Sequence, residues 1–181
     1  MKTSRLLLCW IASASLAGAL PLFAKSAPTI GDLAPAFSGR DQDGHKWKLS
    51  RHLGKSIVFL YFYPEDYTSR DTSEAASLRD NLAELRELGV TVVGVSRDRK
   101  ASHKRFAFSN NLSFALVTDA HGKIADAYGA RMRGDEKLDR RMSYLIGLDG
   151  RILHITDSPD PALHVREMIN AVATLTGNQI P

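Results

Sequence analysis

A hydroxyl and two carboxylates stand close together in residues 64–74. Thr68 offers the hydroxyl, and Asp71 and Glu74 are three positions apart, which would place both carboxylates on one side of a helix. Such a pair can serve as general acid and base where the environment separates the two pKa values. An acidic residue followed three positions later by glutamate, ahead of an apolar periodic run, equally predicts a helix start with Asp71 as the N-cap and Glu74 as its partner. Both interpretations stay open on these residues alone.

Two patterns flank this stretch and would position it. Residues 56–63 form a continuous apolar, β-branched and aromatic run, which is typical of a strand buried on both faces. Residues 72–88 carry apolar side chains at helical spacing and end at Gly89. Residues 90–96 form the next buried strand, so the order strand, helix, strand predicts a parallel β-α-β unit.

The other patterns extend this unit into one α/β domain, residues 25–181, with a central mixed β-sheet flanked by helices. Asp-Gly pairs at Asp43-Gly44 and Asp149-Gly150 predict two hairpins, the first of them N-terminal. The remaining predicted elements are a helical turn at 50–53, a helix capped by Ser102 and running to 110 with Phe106 inward, a strand at 114–118, a helix at 123–128, strands at 143–148 and 151–155, and a helix at 161–175.

The stretch 64–74 resembles the active-site loop of the peroxiredoxins, whose pattern is P-x-x-x-T-x-x-C. Pro64 matches the first position and Thr68 the fifth, while Asp71 stands where the family has its peroxide-attacking cysteine. The resemblance covers residues 31 to about 156 and is to the peroxiredoxin Q, or bacterioferritin-comigratory-protein, type. It implies a thioredoxin-like fold. Further matching segments are VFLYFYP at 58–64, TSEA at 72–75, GVS at 94–96 and RMSYLI at 141–146.

The resemblance also implies roles for individual residues. In that family a thiolate at a helix N-terminus attacks the O–O bond, and a threonine and an arginine orient the peroxide. Thr68 and Arg141 match those two residues, with Pro64 and Glu74 as supporting residues of the pocket. Asp71 supplies a carboxylate, which is a poor nucleophile toward peroxide oxygen and cannot form a sulfenic acid. We therefore expect no thiol peroxidase turnover, and we expect Arg70 or Arg141 to neutralise Asp71.

The first two dozen residues have the pattern of a secretory signal peptide. Lys2 and Arg5 precede an uncharged apolar run, and residues 1–24 are the predicted signal, with cleavage possible as late as residue 27. An uncleaved N-terminal anchor is the alternative. Cys9 is the only cysteine and lies within this segment, so the mature chain would have no thiol. We expect a periplasmic or secreted protein with no membrane attachment after cleavage.

Charge and histidine spacing limit the partners. Loss of Lys2 and Arg5 lowers the formal charge from +4 to +2, so nothing indicates a nucleic-acid partner. His103 is predicted at a helix start and His154 on a strand. We expect no cofactor and no metal, although a composite site from distant positions stays open. A basic segment containing Arg131, Arg133, Lys137, Arg140 and Arg141 is either a solvated loop or a surface for an anionic ligand or partner.

Three functional hypotheses follow. The first is a catalytically silent peroxiredoxin-like protein in which Asp71 is a structural cap, or in which the pocket binds a peroxide-like or small anionic ligand or a protein partner. The second is a non-thiol enzyme that uses Asp71, Thr68 and Arg141, which requires a carboxyl group with a raised pKa in an open pocket. The third is a holdase or assembly subunit. We expect a monomer or a homodimer.

Overall fold

A five-stranded mixed sheet and a separate hairpin organise the chain. The computed structural model describes residues 26–132, 134–135 and 137–177, so the predicted signal peptide and Cys9 lie outside the described residues. The strands are β1 Ser38–Arg40, β2 Lys46–Lys48, β3 Ile57–Phe62, β4 Val90–Ser96, β5 Ala115–Thr118, β6 Met142–Ile146 and β7 Ile152–Asp157. The helices are a 3-10 turn Leu49–Arg51 and α1 Ser69–Asp80, α2 Leu82–Glu87, α3 Lys100–Ser109, α4 Lys123–Tyr128 and α5 Pro161–Thr176.

The sheet order is β5-β4-β3-β6-β7, with β3 at the centre. β4 pairs in parallel with both β3 and β5, which confirms the predicted parallel unit. β6 runs antiparallel to both β3 and β7, so the sheet is mixed. Because β3 has a paired strand on each side, its C-terminal end lies in the middle of the sheet. Side chains from several neighbouring elements can therefore contact the loop that follows β3.

Alternate residues of β3 serve two cores. Phe59, Tyr61 and the following Tyr63 face the core packed by α1, α2, α3 and α5. Val58, Leu60 and Phe62 face the other core, which holds residues of the N-terminal hairpin region and of α4. Both faces of β3 are therefore covered, as the uninterrupted apolar run predicted.

The N-terminal hairpin is confirmed, and it also protects an edge of the sheet. β1 pairs antiparallel with β2 around a turn in which Gly44 has a φ of +89°. In that turn the amide of Gln42 donates to the carbonyl of Phe114 at 3.0 Å and accepts from the N–H of Leu116 at 2.8 Å. The Gln42 side chain thus satisfies backbone groups at the open edge of β5, where unpaired strands are liable to associate.

Two predicted helices differ from the observed ones. The helix expected at 72–88 is two helices, α1 and α2, and the break falls at Asn81, whose φ and ψ are −93° and 3°. The Asn81 amide donates to the carbonyl of Ser77 at 2.8 Å, and asparagine competes for backbone groups in this way. The predicted cap at Ser102 is wrong, because α3 begins at Lys100 with Arg99 as its N-cap residue.

Other elements follow the sequence closely. The strand at 90–96 and the helix at 123–128 have the predicted bounds, and Gly129 ends the latter with a φ of +69°. Phe106 is fully buried, and His154 lies on β7 as predicted. The helical turn expected at 50–53 is the 3-10 turn Leu49–Arg51. None of the helices among the described residues is both long and apolar enough to cross a bilayer.

Candidate active site

The loop between β3 and α1 and the first turns of α1 carry Pro64, Thr68, Asp71 and Glu74, and Arg141 reaches the two carboxylates from directly before β6. Tyr67 adopts a left-handed backbone with a φ of +68°, an uncommon conformation for a residue other than glycine, and directs the chain into α1. Thr68 is the N-cap residue of α1, and its Oγ1 accepts a hydrogen bond from the N–H of Asp71 at 3.1 Å. The predicted cap at Asp71 is therefore wrong. α1 starts at Ser69, so Asp71 is already inside the first turn.

Asp71 engages the two residues matched to peroxide-orienting groups. The hydroxyl of Thr68 donates a hydrogen bond to Oδ2 of Asp71. Nη2 of Arg141 forms an ion pair with Oδ1 of Asp71 at 2.5 Å. Asp71 and Arg141 are only 2% and 7% exposed, so this pair is shielded from water. Of the two arginines expected to neutralise Asp71, Arg141 does so, whereas Arg70 is exposed and forms no ion pair with the described residues.

Glu74 is the second carboxylate on the same guanidinium. Its Oε2 pairs with Nη1 of Arg141, so its predicted role as a partner of the helix cap is wrong. The Glu74 side chain is 1% exposed, and its Oε1 has no hydrogen-bond partner among the described residues. Burial, reinforced by the charge of Asp71, raises the pKa of Glu74 to about 8, although Arg141 opposes the rise. One guanidinium cannot neutralise two buried carboxylates, and a proton on Glu74 removes the excess charge.

Replacing Glu74 with glutamine is expected to stabilise the fold increasingly as pH rises. The pKa of Glu74 is about 8 when folded, against an ordinary value of 4.5. Its contribution is therefore fully present below pH 4.5 and is lost as pH rises toward and through 8. Glu74→Gln should remove this loss, so its stability relative to wild type should rise by about 2 kcal/mol or more between pH 5 and pH 8. Urea unfolding at several pH values measures the difference.

The control is Glu87→Gln on the exposed side of α2. It should leave the pH dependence of stability as in wild type. If Glu74→Gln does the same, Glu74 does not carry the proton assigned to it.

A second buried network braces the underside of the loop. The hydroxyl of Tyr63 donates to Oδ1 of Asp66 at 2.8 Å, and Nδ1 of His103 lies 3.0 Å from Oδ2 of Asp66. The N–H of Asp66 donates to Oδ2 of Asp98 at 2.9 Å, and the Ser96 hydroxyl donates to the same oxygen at 2.8 Å. Asp66 is thus tied to β3, to α3 and to the end of β4, and this fixes the loop from three sides.

This network contains a cluster with metal-ligand chemistry. Asp66, Asp98 and His103 each place one potential ligand atom within 4.8 Å of the others. It is the kind of composite cluster from distant positions that the sequence left open. The contacts that these residues make with one another and with Tyr63 account for the arrangement as hydrogen bonds, with Nδ1 of His103 directed to Asp66.

Above Asp71 the site opens into a cavity of about 480 Å³, the first cavity. Its walls include Pro64, Thr68 and Asp71 from the loop and α1, Met132 from the segment before β6, and Pro159 from the β7–α5 loop. Glu74 does not line it. The basic segment contributes Arg140 and Arg141 to its walls, and both already have counter-ions, since Arg140 pairs with Asp157 and Arg141 with Asp71. Arg133 of that segment lies outside the described residues.

A buried histidine that the sequence did not indicate supports one wall. His164 of α5 is fully buried, and its Nε2 lies 2.8 Å from the carbonyl of Ser158, which also lines the first cavity. Because a carbonyl only accepts, Nε2 carries the hydrogen and Nδ1 accepts from the Ser143 hydroxyl at 2.8 Å. Burial lowers the pKa of His164, and the nearby Arg141 adds to this while the Ser158 carbonyl opposes it.

Sequence comparison assigns the chain to a family. Residues 30–155 match the profile of the AhpC/TSA family. This chain belongs to that family. The AhpC/TSA match spans the hairpin, the sheet as far as Ile155 in β7, and the residues Thr68, Asp71 and Arg141, whereas the part of the cavity wall at 157–159 lies beyond it.

Relatives of this AhpC/TSA protein carry peroxiredoxin names. Peroxiredoxin Bcp of Escherichia coli is 35% identical over 147 residues, which cover 77% of this chain and 92% of the relative. Peroxiredoxin Q of Triticum aestivum is 34% identical over 146 residues, which cover 80% of this chain and 67% of the relative.

Solved structures agree. Peroxidoxin BcpB of Mycobacterium tuberculosis superposes with a TM-score of 0.75 at 30% identity, covering 83% of this chain and 98% of that one. The Xanthomonas campestris bacterioferritin comigratory protein, a protein with alkyl peroxide reduction activity, superposes with a TM-score of 0.70 at 26% identity, covering 77% of this chain and 91% of that one. The resemblance to peroxiredoxin Q and the thioredoxin-like fold are confirmed.

Proposed function

We propose that this protein is an exported member of the AhpC/TSA family that does not turn over peroxide by thiol chemistry and that acts by binding at the first cavity. The observation that supports this proposal is the engagement of Asp71 with both Thr68 and Arg141. The resemblance gives these two residues the task of holding a peroxide. Here a carboxylate of the chain itself uses the hydroxyl and one arm of the guanidinium, while Glu74 uses the other arm.

The composition of the chain supports the same proposal. Cys9 is the only cysteine in the sequence and lies in the predicted signal, so an exported chain has no thiol to oxidise or regenerate. Export also explains the basic and apolar N-terminal pattern. Alkyl peroxide reduction is an activity of the Xanthomonas campestris relative, and we do not assign it to this chain.

The structure gives limited support to a non-thiol enzyme. The carboxyl group with the raised pKa is Glu74, which is buried and does not line the cavity. Asp71 does line it, but Arg141 and Thr68 hold both of its oxygens. A base that must first leave an ion pair is a weak general base. A holdase or assembly role stays a prediction, which sizing by light scattering with an unfolding client would test.

The experiment is peroxide consumption by residues 25–181 with dithiothreitol or thioredoxin as the reductant. We expect the rate to equal that of the reductant alone with hydrogen peroxide and with an alkyl hydroperoxide. Asp71→Ala should behave identically, because Asp71 takes no part in peroxide chemistry under this proposal. Turnover that Asp71→Ala abolishes would show that the carboxylate is catalytic and would overturn the proposal.

A further inference from the structure

A second cavity adjoins the first across Pro64. Its volume is about 730 Å³, and its walls come from Glu65 beside the loop, from Arg99 and Arg105 at α3, and from Lys137 and Leu138 before β6. Pro64 lines both cavities. Each cavity has the volume of a typical pocket for one small ligand, ~300–1,000 Å³. A molecule that fills both cavities at once must therefore be longer than one such ligand.

The two cavities differ in charge. In the first cavity Arg141 is held by Asp71 and Glu74, and Arg140 by Asp157, so among the arginines that line it only Arg70 lacks a counter-ion in the described part of the chain. Arg99, Arg105 and Lys137 of the second cavity are exposed and form no ion pair with the part of the chain that the structure describes.

The second cavity is lined by fewer carboxylates than basic side chains, and one of these carboxylates already accepts hydrogen bonds from the chain. Asp98 accepts hydrogen bonds from the N–H of Asp66 and from Ser96. Glu65 and Asp135 are exposed and form no ion pair with described residues. Arg70 is a further exposed arginine in the wall of the first cavity. The exposed side chains along the two cavities that lack a counter-ion are thus mainly basic, which favours an anionic occupant.

We infer that the two cavities form one groove for an extended, acidic peptide segment of a partner protein. An uncharged residue of the segment occupies the first cavity over Pro64 and Met132, and acidic residues follow past Arg99, Arg105 and Lys137. An extended peptide carries successive side chains at about 3.3 Å per residue, so it can place different chemistry in adjacent cavities. This inference rests on the binding role proposed above and names the class of partner.

The test uses a fluorescein-labelled synthetic peptide in which one leucine is followed by four glutamates, and a counterpart with glutamines. Fluorescence polarisation with residues 25–181 should show saturable binding of the first peptide, weakened about tenfold in the second. Arg99→Glu with Arg105→Glu should weaken binding of the acidic peptide by about tenfold. The side chain of Arg99 makes no cap hydrogen bond, so this variant should fold.

Lys104→Glu is the matched control, because Lys104 lies on the same helix but pairs with Asp43 outside the groove. It should bind the acidic peptide like wild type. Lys104→Glu reverses one charge and the double variant reverses two, so weakening of about threefold or more by Lys104→Glu would reduce the effect to net charge and overturn the inference. Equal binding of the two peptides would also overturn it. The inference would also be overturned if a heparin tetrasaccharide displaced the labelled peptide as strongly as the unlabelled peptide does. The groove would then be a surface that binds polyanions in general.

The length of the site is tested by amide chemical shifts during the same titration. Ser69 and Met132 line the first cavity, and Ala101 and Ser102 line the second. The amide signals of all four residues should therefore shift together as the peptide is added. Movement at one cavity alone would overturn the single groove. Peroxide turnover is measured separately, so a failed peptide titration and a failed peroxide prediction are distinguishable.

Discussion

Asp71→Cys is expected to give this chain a thiol that reacts with hydrogen peroxide about a hundredfold faster than free cysteine. The position lies in the first turn of α1, where helix N–H groups lower the pKa of a thiol. The substitution also releases the Thr68 hydroxyl and one arm of Arg141, which the carboxylate now uses. Stopped-flow measurement of thiol loss, with trapping of the sulfenic acid, gives the rate.

Asp71→Ser is the control, because it releases the same groups without supplying a thiol. It should show no peroxide consumption. A thiol at position 71 that reacts no faster than free cysteine would mean that Thr68 and Arg141 no longer form a peroxide pocket. The resemblance would then extend to the fold but not to the site.

Arg141→Met is expected to lower the free energy of unfolding by about 3–5 kcal/mol at pH 7. Arg141 is 7% exposed and is the ion-pair partner of both Asp71 and Glu74. Because Glu74 already carries a proton at this pH, removing the guanidinium leaves the charge of Asp71 buried without a cation, and that charge must be neutralised or reached by water. Chemical denaturation monitored by circular dichroism measures the loss.

Two variants separate the lost ion pairs from lost packing. Arg140→Met removes the neighbouring arginine, whose partner Asp157 is solvent-exposed, and it should cost no more than about 1 kcal/mol. Adding Asp71→Asn and Glu74→Gln to Arg141→Met should restore most of the stability, because no uncompensated charge is left. Equal losses for Arg140→Met and Arg141→Met would contradict the buried triad.

The local sequence was sufficient for much of the fold because β3 and β4 carry continuous apolar runs, β3 between Gly54 and Pro64 and β4 directly after Gly89. It failed at the start of α1, where two nearby residues could each cap the helix, and where distant side chains decide the outcome. The pattern Asp71 to Glu74 has the spacing of a cap and its partner, yet the helix begins earlier because the Thr68 hydroxyl takes the cap position. Nothing in the local spacing reveals that Arg141, seventy residues away, binds both carboxylates.

The buried polar networks show the same limit. His103 and His164 look like ordinary helix residues in the sequence, but both are fully buried and hydrogen-bonded beneath the candidate site. Their partners Asp66 and Ser143 come from other parts of the chain. Sequence spacing could not have predicted which side chains these histidines contact. The one indication in the sequence was a charged residue shortly after an aromatic strand end, as Asp66 follows Tyr63.

The central claim is that Asp71 keeps Arg141 and Thr68 occupied, so that peroxide has no site to enter. The most direct measurement is the ¹⁵N–¹H spectrum of the Arg141 guanidinium, assigned with Arg141→Met, during addition of hydrogen peroxide at neutral pH. We expect separate, slowly exchanging Nη signals held by Asp71 and Glu74, with positions that peroxide leaves unchanged. Averaged signals, or signals that shift with saturation as peroxide is added, would contradict the account.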